Sequence, residues 1–187
     1  MGALARLRGT HIVELIASYG EQIMIAYTEF QSPLGTLLIA ASAHGLRGIY
    51  FEQHRHFKGK DGWQFEPTHA ILQRAVAQLE EFFAGKRHVF DLPLDMEGTP
   101  FQQAVWQQLL QIPYGATVSY GQQAHALGKP KAARAVGAAI GRNPVSIVVP
   151  CHRVIGSSGS LTDYAGGLER KRTLLQLEAR ASGLPAS

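Results

Sequence analysis

The chain has 187 residues, 45% hydrophobic and 17% charged, a globular balance that excludes a disordered chain. No apolar run approaches the roughly 20 residues that a membrane-spanning helix needs. The net charge is +4, but it is unevenly spread: residues 1–96 hold 9 basic against 10 acidic side chains, and residues 97–187 hold 9 against 4. The basic half points to a nucleic acid, although charge alone leaves a merely uneven, solvated surface equally open.

Arg6 and Arg8 ahead of Ile12 and Val13 give the first residues a superficial likeness to a signal peptide. Glu14 and Glu21 interrupt that pattern, so a cytoplasmic protein is expected. Residues 1–22 are read as an N-terminal extension with a short amphipathic helix through Leu4, Leu7, Ile12, Leu15 and Ile16. Three strand-length runs follow at Ile23–Phe30, Thr36–Ala41 and Leu46–Phe51, punctuated by Ser32-Pro33-Leu34-Gly35 and His44-Gly45. Their β-branched and aromatic content predicts an antiparallel meander. Residues 52–66 read as a loop. Thr68 is the expected cap of a helix carrying Ile71, Leu72, Ala75, Val76, Leu79, Phe82 and Phe83, with Gly85 as its stop. Val89–Leu94 reads as extended. These elements make a small α+β N-terminal domain, residues 23–95, with no evident catalytic constellation.

A second domain, residues 96–182, opens on Thr99-Pro100-Phe101-Gln102, a capping box with proline at the first helical position. Its helix is expected to bury Phe101, Ala104, Val105, Leu109 and Trp106 and to stop before Ile112-Pro113-Tyr114-Gly115. Ser119-Tyr120-Gly121-Gln122 is a second capping box. After the turn Gly128-Lys129-Pro130, a third helix is expected from Lys131 to about Ile140. Two short helices across a tight turn have the form of a helix-turn-helix in a mostly helical, winged-helix-like domain. The second of them is slim, rich in Ala and Gly, and carries Arg134. Core helix packing also uses small residues, but a charge among alanines must pair or face outward.

Ser146-Ile-Val-Val149 reads as an apolar strand leading to Pro150-Cys151-His152-Arg153. Cys151 is the single cysteine, which excludes an intramolecular disulfide and a multi-thiolate zinc site. An isolated cysteine often serves as a small buried hydrophobe. An unperturbed thiol is only about 3% thiolate at pH 7, so a nucleophile needs a neighbouring base or cation. His152 is next in sequence, but adjacent strand residues face opposite ways. Direct contact therefore requires a turn after Pro150, or a bridging water.

Val149-Pro-Cys-His-Arg-Val154 resembles the signature of the O6-alkylguanine-DNA alkyltransferases, the methylated-DNA–protein-cysteine methyltransferases. Gly98-Thr-Pro-Phe-Gln, Ile112-Pro-Tyr-Gly, Ser119-Tyr120, Arg134-Ala-Val-Gly137, Asn143-Pro144, Tyr164-Ala-Gly-Gly167 and Lys171…Leu174-Leu175…Glu178 follow in the family's order. The likeness covers about residues 97–180 in motif detail and the first domain in layout. It implies single-turnover transfer of a methyl or larger alkyl group from O6 of a flipped guanine in double-stranded DNA to Cys151, with O4 of thymine left open.

The resemblance also implies roles. Cys151 would be the acceptor, with His152 acting through a water and oriented by Glu178. Asn143 would hold the turn, and Tyr120 would contact DNA at the 3′ phosphate and donate a proton to the departing guanine. Arg134 would fill the space of the flipped nucleotide, while Gly121, Lys129 and Ser157 would contact DNA from the minor groove. Val154, Tyr164, Ala165 and Gly166 would shape the pocket. A monomer without cofactor, metal or membrane partner is implied, with cooperativity on DNA left open. Asp163 departs from the glycine or asparagine common in the family, and Ile140 from an asparagine. A lesion-binding relative would lack the cysteine, and a hydrolase, a redox sensor or a plain transcription factor would leave part of the pattern unused.

Overall fold

The computed structural model describes residues 24–182, so the expected extension and helix at 1–22 lie outside the described residues. The meander forms as β1 (Ala26–Ser32), β2 (Gly35–Ala41) and β3 (Leu46–Phe51), paired antiparallel in sequence order. Gly35 closes the first hairpin at φ 102°, a conformation glycine adopts without a Cβ clash. The stretch read as a loop contributes β4 (Gln64–Phe65), which joins the free edge of β1 in parallel. The antiparallel expectation therefore holds for the meander and is corrected at this short fourth strand. Val89–Leu94 forms no strand: it holds a bend at Val89 and one isolated bridge, between Leu46 and Leu94.

Helix α1 (Ala70–Phe83) buries Leu72, Ala75, Leu79 and Phe82 against the sheet. Its N-cap is His69, without a side-chain cap bond, and not Thr68 as expected. Gly85 ends it at φ 70°, with Gly85 N–H bonded to Phe82 O at 2.9 Å and Lys86 N–H to Glu81 O at 2.8 Å. That paired arrangement satisfies two of the carbonyls a helix end leaves open.

Both expected capping boxes form. Thr99 and Gln102 open α2 (Pro100–Leu109), and Ser119 and Gln122 open α3 (Tyr120–Ala126). Helix α2 buries Val105, Trp106 and Leu109, while Phe101 is half-buried and Ala104 exposed, against the expectation for those two. The helix expected from Lys131 begins as a 3₁₀ turn, Pro130–Ala132, and continues as α4 (Ala133–Gly141). Trp106 Nε1–H donates to Ala139 O at 2.9 Å and locks α2 to α4.

Residues 146–149 are not a strand. Val148 N–H bonds Ser146 O at 2.9 Å around Ile147, whose φ is 72°. A positive φ at a β-branched residue costs on the order of 1–3 kcal/mol and persists only when its surroundings fix it. Pro150, at φ −82° and ψ 59°, makes a second three-residue turn, with Cys151 N–H on Val149 O at 2.8 Å. Cys151–Arg153 then form a 3₁₀ turn, followed by β6 (Val154–Ile155) and, after a loop, α5 (Leu168–Ala181). β6 pairs in parallel with β5 (Val118–Ser119), which sets the start of α3 beside the Cys151 turn. Ile49 N–H on Pro144 O at 2.9 Å and Ser146 N–H on Ile49 O at 3.2 Å attach the first sheet to the same segment. One continuous apolar core runs through both halves of this α+β fold.

Candidate functional site

The double turn places Cys151 in the core with 7% of its surface exposed. Asn143, itself buried, spans that turn: its Oδ1 accepts from Val145 N–H at 3.0 Å, and its Nδ2 donates to Val149 O at 2.9 Å and to Cys151 Sγ at 3.1 Å. Burial pushes the thiol above its ordinary pKa, while the Asn143 bond and the Lys171 charge pull it back. The resting sulfur is therefore a thiol that needs a base at the moment of reaction.

His152 is fully buried, and its Nε2 lies 2.7 Å from Glu178 Oε1. Burial lowers the imidazole pKa, against the raising effect of Glu178. Burial alone would raise Glu178, but hydrogen bonds and charge from His152 and Arg153 hold it at about 2. An ionised carboxylate only accepts, so Nε2 carries the proton and Nδ1 keeps a lone pair. That Nδ1 is buried and has no partner among the described residues.

Arg153 and Lys171 complete the site, and sequence reasoning assigns neither a role. The Arg153 guanidinium grips Glu178 with Nε to Oε2 at 2.9 Å and Nη2 to Oε1 at 2.9 Å, and its Nη1 reaches Ile112 O at 2.6 Å. Gly115 N–H also donates to Glu178 Oε2, at 3.0 Å. Lys171, with no exposed surface, donates to Val154 O and Thr162 O, each at 2.6 Å. Burial pushes it down to about 8. The available signal was a cation inside an apolar pattern, which must find partners when buried.

Tyr120 opens α3, with its hydroxyl 3.4 Å from Thr162 O. Burial raises its pKa, and Asp163 and Cys151 add to the rise, so it is a hydroxyl donor at neutral pH. Val154, Tyr164 and Gly166 are buried and Ala165 is half-buried. A Cβ on Gly166 would sit 2.5 Å from the Phe51 ring, so that glycine permits close packing under the pocket. Gly121, Lys129, Arg134 and Ser157 are all exposed, as are Ala135 and Ala138 on the same helix as Arg134. The structure thus gathers Cys151, His152, Glu178, Asn143, Tyr120 and Tyr164 around one centre; of the five expected DNA contacts, Tyr120 is half-buried at that centre and Gly121, Lys129, Arg134 and Ser157 lie on the surface.

Among the described residues, no group of three or more His, Cys, Asp or Glu side chains could hold a metal ion. No helix among them is long and apolar enough to cross a membrane.

Residues 100–180 match the family model of the 6-O-methylguanine DNA methyltransferase DNA binding domain, and residues 25–96 match that of its ribonuclease-like domain. The methylated-DNA–protein-cysteine methyltransferase of Mycobacterium tuberculosis strain H37Rv is 48% identical over 155 residues, 83% of this chain and 93% of that protein. The chain belongs to the methylated-DNA–protein-cysteine methyltransferase family. The enzyme of the same name from Methanosarcina acetivorans is 46% identical over 153 residues, 81% of this chain and 97% of that protein. Among solved structures, Mycobacterium tuberculosis OGT in complex with DNA has a TM-score of 0.78 and 47% identity, covering 86% of this chain and 96% of that one. A member of this family is an S-methyltransferase that acts on methylated DNA, and its chemistry calls for an acceptor cysteine; this chain has one, Cys151.

Proposed function

We propose that the protein repairs DNA by moving an alkyl group from O6 of guanine onto Cys151, once per molecule. The observation that carries this reading is the Cys151–Asn143 contact beside a histidine whose Nε2 is held by Glu178 and whose Nδ1 is left as a base. His152 takes the thiol proton through a water. The sulfur then attacks the alkyl carbon and the carbon–O6 bond breaks as Tyr120 gives its proton to the departing guanine, which leaves neutral; the proton held at His152 returns to the Tyr120 oxygen through solvent. The balance is one thioether formed, one ether bond lost and one proton carried from thiol to base. A thioether has no easy route back to a thiol, so the protein is consumed. The O4 of thymine presents the same ether chemistry as a second target.

A target atom inside a duplex is unreachable, so the nucleotide is extruded at a cost of a few kcal/mol. Helices α3 and α4 act as a helix-turn-helix whose small-residue face enters the minor groove. Arg134 fills the gap, and Gly121, Lys129 and Ser157 contact the backbone. Val154, Tyr164, Ala165 and Gly166 enclose the base and its alkyl group. Residues 96–182 carry DNA binding and chemistry, and residues 23–95 form the supporting domain. The protein works as a monomer in the cytoplasm.

Two kinetic series test this. Arg134→Ala slows repair of O6-methylguanine in duplex DNA at least tenfold and leaves reaction with the free modified base within about twofold, because only the duplex reaction needs the gap filled. Equal slowing of both contradicts the flipping role. In the unsubstituted protein, a large excess of damaged DNA yields one methyl per chain, and a continuing reaction contradicts single turnover.

A further inference from the structure

The loop that walls the acceptor centre, residues 161–165, is held from three sides. Lys171 Nζ donates to Thr162 O at 2.6 Å, and the Tyr120 hydroxyl lies 3.4 Å from the same carbonyl. Both holds come from the C-terminal half. The third comes from the N-terminal half, through Arg55 in the loop after β3. Its backbone N–H donates to Ala165 O at 3.2 Å, and its guanidinium bonds Asp163 Oδ1 at 2.6 Å. Arg55 therefore grips the wall on both sides of Tyr164, which is only 4% exposed. Asp163 stands at φ 24°, a sparsely populated conformation that persists when the surroundings fix it.

We propose that Arg55 and Asp163 are positioning residues that set the adduct selectivity of the acceptor pocket, closing its wall on small alkyl groups. This rests on the function proposed above. A methyl group leaves the wall in place. A larger group must push residues 163–165 away from β3, which stretches both Arg55 bonds. The ion pair is about half exposed on each side (56% and 51%), so it is a modest and salt-sensitive latch rather than a structural pillar.

The test compares Cys151 alkylation rates for one oligonucleotide carrying either O6-methylguanine or O6-benzylguanine. Arg55→Gln and Asp163→Asn each raise the benzyl-to-methyl rate ratio roughly two- to fivefold, the range expected for losing one exposed ion pair. Asparagine tolerates the Asp163 backbone conformation, so that variant removes charge without new strain. The double variant goes no further than either single one, and Arg55→Lys keeps the original ratio. Added salt raises the ratio in the unsubstituted protein and leaves it flat in the variants. Equal loss of both rates in the two single variants, or an unchanged ratio with both rates intact, overturns the latch while leaving alkyl transfer standing. No transfer of either group by the unsubstituted protein overturns the function beneath it, and the latch with it.

Discussion

Asn143 turns both ends of its carboxamide back into the chain that follows it, onto Val145, Val149 and the Cys151 sulfur. The side chain thus fixes the turn and stabilises the sulfur as charge develops there. Asn143→Ala therefore raises the Cys151 pKa further, since burial then acts with one less opposing bond. Thiolate ultraviolet absorbance followed against pH measures this, and an unshifted curve contradicts it. The same variant leaves buried backbone groups unpaired at roughly 1–3 kcal/mol each, read by urea denaturation. Cys151 beside His152 is legible as a candidate nucleophile and base from residue type alone, whereas Tyr120 enters only through the family resemblance. Arg153 and Lys171 were visible as letters but not as parts, because their partners, Glu178 and the carbonyls of Ile112, Val154 and Thr162, come from other elements.

At the level of elements, local rules worked where the signal was local. Both capping boxes could be read because each is complete within four consecutive residues, and both form as expected. Thr99→Ala removes one of them and lowers stability by about 1 kcal/mol without touching the acceptor. Chemical denaturation with a parallel transfer assay checks this, and a matching loss of rate would show that α2 is coupled to the site. Residues 146–149 misled because an apolar β-branched run has the composition of a strand whatever its path. The double turn around Ile147 and Pro150 is imposed by Asn143 and by the bonds to β3. β4 was missed because two exposed residues carry no periodicity, and its pairing is set by the distant edge of β1.

Across the whole molecule, Glu178 ties α5 to the Cys151 turn through His152 and Arg153, and to the segment after α2 through Gly115. Its folded pKa of about 2 lies below the ordinary 4.5. Its stabilising contribution is therefore full above 4.5 and is lost as pH falls through about 2. His54 acts earlier: burial, with the charges of His56 and Arg55, lowers it from 6.5 to about 4. An unfolded chain takes up that proton first, so stability falls as pH drops across that window. Urea unfolding from neutral to strongly acid pH should show both declines. Glu178→Gln removes the lower one and costs about 3–5 kcal/mol at neutral pH, because Arg153 is left buried and unpaired. A variant with unchanged neutral stability contradicts this account of the network.

All of these parts serve one claim, that Cys151 is the alkyl acceptor. Intact-mass and peptide-mass measurement after mixing with an oligonucleotide containing O6-methylguanine tests it most directly. The account predicts a gain of one methyl group, located on the peptide carrying Cys151 and absent from Cys151→Ala. Binding of the damaged DNA with no mass gain, or a methyl group on any other residue, would contradict it.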